Sequence, residues 1–236
     1  MSDSRICIAL DFKTREEVEN FLDKFEGEKL YVKIGMELFY GQGIEMLKSI
    51  KKRGHKIFLD LKLHDIPNTV KSAMRQLASL EVDMVNVHAA GSIEMMKAAI
   101  EGLEEGKVGE KRPTCIAVTC LTSLDQKVLD DELLIHEPLD QVVLKWAQNA
   151  KEAGLDGVVC SPLESPIIHE KLGNDFITVT PGIRLASDSV DDRKRVTTPA
   201  KARELTSSYI VVGRTITKAE DPVATYKEVY RQFQGE

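Results

Sequence analysis

The sequence predicts a single α/β domain over residues 1–236, folded as a (β/α)8 TIM barrel, and three observations support this. Eight short apolar runs rich in Val, Ile and Leu recur along the 236 residues, as expected for parallel strands covered on both faces. Segments with helical spacing separate them, within about the ~250 residues typical of such barrels. The first run ends in "ALDFKT", without the glycine-rich turn that a doubly wound sheet usually has.

The predicted strands and helices alternate along the chain. The strands are residues 5–10, 30–35, 56–62, 83–89, 114–119, 156–161, 176–182 and 209–214. The helices are residues 13–25, 44–53, 69–80, 92–103, 138–154 and 221–233. Gly54 and Gly154 stand where glycine commonly ends a helix, and Pro222 stands where a helix begins. We interpret the charged segment 101–113 as a connection within the repeat and not as a domain boundary.

Composition limits the classes of function. A net charge of −6 argues against nucleic acid as the main partner, although a local basic pocket can still bind a small anion. No run approaches the ~20 apolar residues of a transmembrane helix, and the apolar run before Asp11 is too short for a signal peptide. The cysteines, at 7, 115, 120 and 160, lack C-x-x-C spacing, so we expect buried free thiols in a reducing cytoplasm and no metal ligation.

Charged residues follow the predicted strands at their C-terminal ends, where barrels of this type carry their chemistry. In "FLDLKLHDIPNTV", residues 58–70, Asp60 and Lys62 are two positions apart and therefore share a face of the strand. The other ends of the strands lack this density of charge. A structural salt-bridge network would explain any single residue, but the whole set at one mouth favours a functional site. Its members are Asp11, Lys33, Asp60, Lys62 and Asp65.

The ends of the last two strands indicate a phosphate site. "TPGIR" and "VVGR" supply Gly213, Arg184 and Arg214, and barrels frequently bind phosphate through the loops after strands seven and eight. Glycine allows close backbone approach, and arginine contacts phosphate oxygens in pairs. The polar segment 184–196 has no apolar periodicity, so we interpret it as a lid over the phosphate, with a solvated loop as the alternative.

These stretches together resemble the orotidine 5′-monophosphate decarboxylase family. The D-x-K-x-x-D run "DLKLHD" is joined, in family order, by "ALD", "VKIGMELF", "VNVHAAG", "LTS", "TPGIR" and "VVGRTIT", from residue 6 to about residue 230. Related phosphosugar decarboxylases carry similar D-x-K-x-x-D runs, whereas the full series is specific. The resemblance implies loss of CO2 from orotidine 5′-monophosphate without a cofactor, through a vinylic carbanion that is protonated to UMP, in de novo pyrimidine biosynthesis.

The resemblance also implies roles for individual residues. Lys62 would donate the proton, Asp60 would face the departing carboxylate, and Lys33 would neutralise the carboxylates around it. Asp65 and Thr69 would come from the partner subunit of a homodimer. The expected substrate contacts are Asp11 and Lys33 to the ribose, Thr122 and Ser123 to the pyrimidine, and Arg184, Gly213 and Arg214 to the phosphate. Arg193 departs from the family, which usually has a glutamine spanning phosphate and pyrimidine there, and we expect Arg193 to touch the phosphate.

Two alternatives stay open at this point. His64 and His88, near Asp60 and Asp65, would suit a divalent ion, as in a ribulose-phosphate epimerase or a magnesium-dependent phosphosugar decarboxylase. Against this, the lysines of the array already bring positive charge into the site. A non-catalytic nucleotide-phosphate binder would lack the proton donor or part of the charge array, and this sequence retains both.

Overall fold

The computed structural model describes residues 5–186 and 196–236 as a closed barrel of eight parallel strands in sequence order. The strands are β1 Ile6–Ala9, β2 Tyr31–Gly35, β3 Lys56–Leu63, β4 Met84–His88, β5 Thr114–Val118, β6 Gly157–Val159, β7 Ile177–Thr180 and β8 Tyr209–Val212. The predicted fold class and all eight strands are confirmed. Among the described helices, none is long and apolar enough to cross a membrane.

The described helices surround the barrel. They are α1 Arg15–Asp23, α2 Met36–Lys52, α3 Pro67–Ala78, α4 Ser92–Gly106, α5 Gln126–Asp131, α6 Leu139–Glu152, α7 Ser165–Leu172, α8 Pro199–Glu204, α9 Arg214–Thr217 and α10 Pro222–Gln234. The six predicted helices are confirmed, although α2 begins earlier than expected and is kinked at Gly43, which has a φ of 68°. The short α5, α7, α8 and α9 were not predicted.

The predicted connection over residues 101–113 is wrong in its first half, because α4 continues to Gly106. Its two glycines serve close helix packing: a Cβ on Gly102 would lie 2.1 Å from the carbonyl oxygen of Lys71, and one on Gly106 would lie 2.0 Å from that of Arg75. Glycine here allows α4 to lie against the backbone of α3. The connection is therefore shorter than the sequence suggested.

Apolar side chains fill the part of the barrel interior that is further from the C-terminal mouth, in a cluster that includes Tyr31, Phe58 and Met84. A larger cluster lies between the strands and the helices. All four cysteines are buried free thiols, as predicted, and burial raises the pKa of Cys7 and Cys115 to about 12. Thiolate chemistry is therefore disfavoured at these two cysteines.

The N-terminal end of the barrel also carries charged residues, although the sequence predicted a lower density of charge there than at the mouth. The Asp83 carboxylate accepts the backbone N–H of Ile57 at 2.8 Å and pairs with Lys51 Nζ at 2.9 Å. Asp156 likewise accepts the N–H of Cys115 at 2.7 Å. Each carboxylate lies just before one strand and binds the backbone of the preceding strand. These contacts connect neighbouring strands at this end.

Candidate active site

Three polar side chains point into the barrel on the mouth side of the apolar cluster. Tyr31, Phe58 and Met84 point into the barrel, and side chains two positions further along each strand share that direction. Those positions are held by Lys33, Asp60 and Asn86. The barrel interior therefore changes from apolar to polar toward its C-terminal mouth.

The predicted charges alternate in sign across this mouth. Lys33 Nζ lies 3.3 Å from Asp11 Oδ1 and 3.5 Å from Asp60 Oδ2. Lys62 Nζ contacts the other oxygen of Asp60, Oδ1, at 2.6 Å. The Asp60 side chain is 12% exposed and that of Asp11 is 61% exposed. A continuous array, Asp11–Lys33–Asp60–Lys62, thus runs from the open rim into the barrel.

Asp60 is kept ionised by its neighbours. Burial by itself raises the pKa of this carboxyl group, but Lys33, Lys62 and the amide of Asn86 outweigh that effect and hold the pKa below its usual range. The ionised Asp60 is shared between both lysines.

Lys62 has an unusual backbone conformation, with a φ of 53°. The register between β3 and β4 shifts between Leu59 and Leu63, so Lys62 lies in an irregular part of the strand. A left-handed conformation costs a non-glycine residue roughly 1–2 kcal/mol, and such strain is concentrated at functional sites. The side chains of Asp60 and Lys62 do meet, as predicted, but not through the simple alternation on which the prediction rested.

Asn86 connects these two residues and was not among the predicted site residues. Its side chain is buried; its Oδ1 accepts the backbone N–H of Lys62 at 2.8 Å, and its Nδ2 donates to Asp60 Oδ1 at 2.7 Å. The available signal was a polar residue in an apolar strand, two positions after Met84. That pattern is consistent with a position at the mouth but does not reveal the partners of Asn86.

Asp65 lies apart from the array of its own chain. Its carboxylate accepts the backbone N–H of Ile66 at 2.7 Å, and it joins no ion pair with another described residue. Thr69, in the first turn of α3, is exposed. Ile66 is 67% exposed, beside a shallow cavity of about 570 Å³ lined by His64, Asp65, Ile66, Pro67, Ala90 and Gly91.

The expected phosphate end is only partly described. The backbone N–H of Arg184 donates to Thr197 O, and that of Thr197 donates to Gly182 O, both at 3.0 Å. These two bonds bring together the backbone on either side of segment 184–196. A Cβ on Gly213 would lie 3.7 Å from Asp11 Oδ2, so the start of α9, where Arg214 lies, is close to the charge array.

The remaining predicted contacts are less closely tied to the array. Thr122 and Ser123 lie in the turn that follows β5. Arg193 and the central part of the predicted lid, residues 187–195, fall outside the described residues.

The two histidines considered as metal ligands pack against each other, with the ring centroids of His64 and His88 5.6 Å apart. Within residues 5–186 and 196–236, no three His, Cys, Asp or Glu side chains are grouped in a way that could hold a metal ion.

Comparison with known proteins gives full-length matches. A model of the Orotidine 5′-phosphate decarboxylase / HUMPS family matches residues 4–229. A curated protein from Bacillus mycoides (strain KBAB4), named orotidine 5′-phosphate decarboxylase, is 64% identical over 100% of this chain and 99% of its own length. The solved orotidine 5′-phosphate decarboxylase of Lactobacillus acidophilus has a TM-score of 0.88 and 44% identity, covering 98% of this chain and 99% of its own. An uncharacterized conserved protein from Geobacillus kaustophilus has the same TM-score at 50% identity, covering 97% and 99%.

Proposed function

The chain belongs to the orotidine 5′-phosphate decarboxylase / HUMPS family, and from this premise we propose that it is an orotidine 5′-phosphate decarboxylase. It is then a carboxy-lyase that converts orotidine 5′-monophosphate to UMP in pyrimidine biosynthesis. The observation that carries the proposal is the array Asp11–Lys33–Asp60–Lys62 at the mouth of the barrel, in a chain 64% identical over its full length to a protein of that name.

The proposed reaction breaks one carbon–carbon bond and forms one carbon–hydrogen bond. CO2 leaves, and the electron pair of the broken bond stays on the pyrimidine ring as a vinylic carbanion. Lys62 then donates an ammonium proton to that carbon, which gives UMP. No electron acceptor is needed, and Lys62 and Lys33 supply positive charge where negative charge develops, so the reaction proceeds without a cofactor or metal.

Magnitudes indicate which residue contributes most. Barrier reductions near the top of the enzymatic range are about 20 kcal/mol. Repulsion between Asp60 and the substrate carboxylate at about 4 Å supplies only about 4 kcal/mol at an effective dielectric constant of 20. Ground-state repulsion therefore does not carry the catalysis. A preorganised Lys62, held 2.6 Å from Asp60 Oδ1, contributes more, because it needs no reorganisation as charge develops.

Binding energy from the rest of the nucleotide completes the proposal. Asp11 and Lys33 bind the ribose hydroxyls, Thr122 and Ser123 the pyrimidine, and Arg184, Gly213 and Arg214 the phosphate. The proximity of Gly213 to Asp11 supports a phosphate end adjoining the ribose end. Phosphate binding drives closure of segment 184–196, so orotidine without its phosphate should lose most of kcat/KM, and an unchanged value would refute the lid.

Arg193 contacts the phosphate in place of the family's glutamine. Since an arginine contact to phosphate is charge-assisted, Arg193→Gln should raise KM for orotidine 5′-monophosphate. An unaltered KM would show that Arg193 does not take part.

The active form is proposed to be a homodimer in which Asp65 and Thr69 complete the site of the partner subunit. Their exposure, the absence of an ion pair between Asp65 and the other described residues, and the exposed Ile66 between them support this. Lys62→Ala and Asp65→Ala subunits, each inactive alone, should regain about a quarter of wild-type activity when unfolded and refolded together, because half the dimers carry one intact site. If each site were built from a single subunit, the mixture would stay as inactive as its parents.

The function is tested by adding orotidine 5′-monophosphate to the purified protein in EDTA and following the ultraviolet change to UMP. Rapid turnover is expected. No turnover, together with divalent-ion-dependent activity on phosphosugars, would assign the chain to a metal-dependent phosphosugar enzyme of the same fold.

A cytoplasmic location, without nucleic acid or membrane partners, is also proposed. The free thiols of the four cysteines support a reducing compartment. Recovery in the membrane fraction after cell lysis would contradict this location.

A further inference from the structure

We propose that Asn86 is a positioning residue for the decarboxylation, because its one amide group fixes both the carboxylate of Asp60 and the backbone of Lys62. The inference rests on the proposed function and deepens it, since Asn86 acts through the proposed proton donor and does not contact the reacting atoms itself.

The contacts form a closed ring. Asn86 Oδ1 accepts from the backbone N–H of Lys62 at 2.8 Å, and Asn86 Nδ2 donates to Asp60 Oδ1 at 2.7 Å. The same Asp60 oxygen receives Lys62 Nζ at 2.6 Å. Asn86 is only 1% exposed, so water does not substitute for either bond. Both ends of Lys62, its backbone N–H and its ammonium group, are thus tied to the Asn86–Asp60 pair.

Only an amide meets both requirements of this position. One atom must accept from a backbone N–H while another donates to a carboxylate, and an asparagine side chain has one acceptor and one donor group at that spacing. An ionised aspartate would bring a second carboxylate against Asp60 and could not donate to it. An aliphatic residue would leave the Lys62 N–H without its acceptor.

The backbone of Lys62 explains why such a tie matters. Its φ of 53° persists only where surrounding contacts fix it, and the β3–β4 register is interrupted between Leu59 and Leu63. The Asn86 acceptor replaces the regular ladder partner at this point. Without it, Lys62 can relax toward extended backbone, which moves the ammonium group away from the reacting carbon.

The same strand pair provides a matched control at its other end. Asp83, immediately before β4, accepts the backbone N–H of Ile57 in β3 at 2.8 Å and contacts Lys51 Nζ at 2.9 Å. Asp83 therefore makes the same kinds of contact as Asn86, to a backbone N–H and to the polar end of another side chain, but at the end away from the charge array. A purely structural role predicts similar consequences for Asn86→Ala and Asp83→Ala.

The experiment measures kcat, KM and Tm for wild type, Asn86→Ala, Asn86→Asp and Asp83→Ala, with orotidine 5′-monophosphate. Misplacement of a catalytic group by about 1 Å costs about 100-fold. We therefore expect Asn86→Ala to lower kcat by about 10- to 100-fold with little change in KM. Asp83→Ala should lower Tm and keep the wild-type kcat.

Asn86→Asp keeps the size of the side chain and adds a pH readout that a structural role would not produce. When its carboxyl group is protonated, it again donates to Asp60, so kcat should recover as pH falls, relative to wild type at the same pH. Wild-type kcat in Asn86→Ala, or equal losses of kcat in Asn86→Ala and Asp83→Ala, would overturn the inference. If Asn86→Ala does not fold, an Asn86→Asp pH profile parallel to that of wild type would also overturn it. Inactivity of the wild-type protein would instead refute the proposed function.

Discussion

Both ends of the barrel pair carboxylates with cations, but the two ends satisfy those charges differently. At the N-terminal end, each carboxylate binds a backbone N–H of the neighbouring strand and one cation: Asp83 with Ile57 and Lys51, and Asp156 with Cys115 and Arg112. At the mouth, Asp60 instead receives two ammonium groups and the side-chain amide of Asn86. Among the described residues, it is bound by side chains alone.

This difference explains why one end suits chemistry and the other suits stability. A carboxylate that holds two strands together by their backbone is part of the barrel's geometry, and replacing its partners with a ligand would disrupt the sheet. In the mouth the partners are side chains, so a substrate with its own negative charges can join the array between the lysines.

The largest expected effect is on kcat, and it distinguishes Lys62 at the mouth from Lys51 at the N-terminal end. Lys62→Ala should lower kcat by about 10⁴-fold, because it removes the proposed proton donor and, with it, the charge proposed to stabilise the carbanion. Lys51→Ala removes a partner of Asp83 that is only 32% exposed, a loss of about 1 kcal/mol of stability, and should keep kcat. Steady-state kinetics and thermal unfolding of both variants measure this. A Lys62→Ala enzyme that keeps most of its kcat would remove the functional distinction between the ends.

A second comparison tests the stabilising role of the N-terminal end. Arg112 makes paired contacts to Asp156, at 2.6 and 3.0 Å, and Asp156 also accepts the N–H of Cys115. Asp156→Ala leaves that N–H without its acceptor and removes the paired contacts of the guanidinium, which keeps its contacts to Pro113 O and Glu104. It should lower the free energy of unfolding by about 1–3 kcal/mol. Denaturant unfolding measures the loss, and the variant's kcat serves as the control. A drop in kcat at full saturation with folded protein would show that the two ends are coupled.

The sequence predicted what depends on local patterns. Eight strand runs and the charges after them follow from residue type and two-residue alternation, so the barrel and the array from Asp11 to Lys62 could be foreseen. The register shift at Lys62 and its bond to Asn86 depend on how β4 lies against β3, which neither strand encodes by itself. Gly106 was misread as a loop residue for the same reason: its role is defined by the backbone of a neighbouring helix. The short α5, α7, α8 and α9 offer too few turns for helical periodicity to be recognised.

The smallest expected effect is the contribution of two buried histidines at the N-terminal end to the pH dependence of stability. His55 Nδ1 accepts the backbone N–H of Leu30 at 3.2 Å, and His169 lies between Thr206 and the carbonyl oxygen of Phe176. Burial, as the main cause, lowers the pKa of both histidines. The unfolded chain therefore binds more protons than the folded one once pH falls below the ordinary histidine pKa, about 6.5.

Stability should consequently be complete above that pH and decline below it, until the folded histidines are themselves protonated. We expect Tm to fall by several degrees between pH 7 and pH 5, and His55→Gln and His169→Gln should each flatten the decline. A glutamine can keep an acceptor toward Leu30 but cannot take up a proton, so the two variants remove the titration more than the packing. The kcat of both variants at pH 7 should match wild type, because neither histidine lies at the mouth. A decline in the double variant as steep as that of wild type would place the responsible groups elsewhere, and a matching loss of kcat would contradict the separation of the two ends.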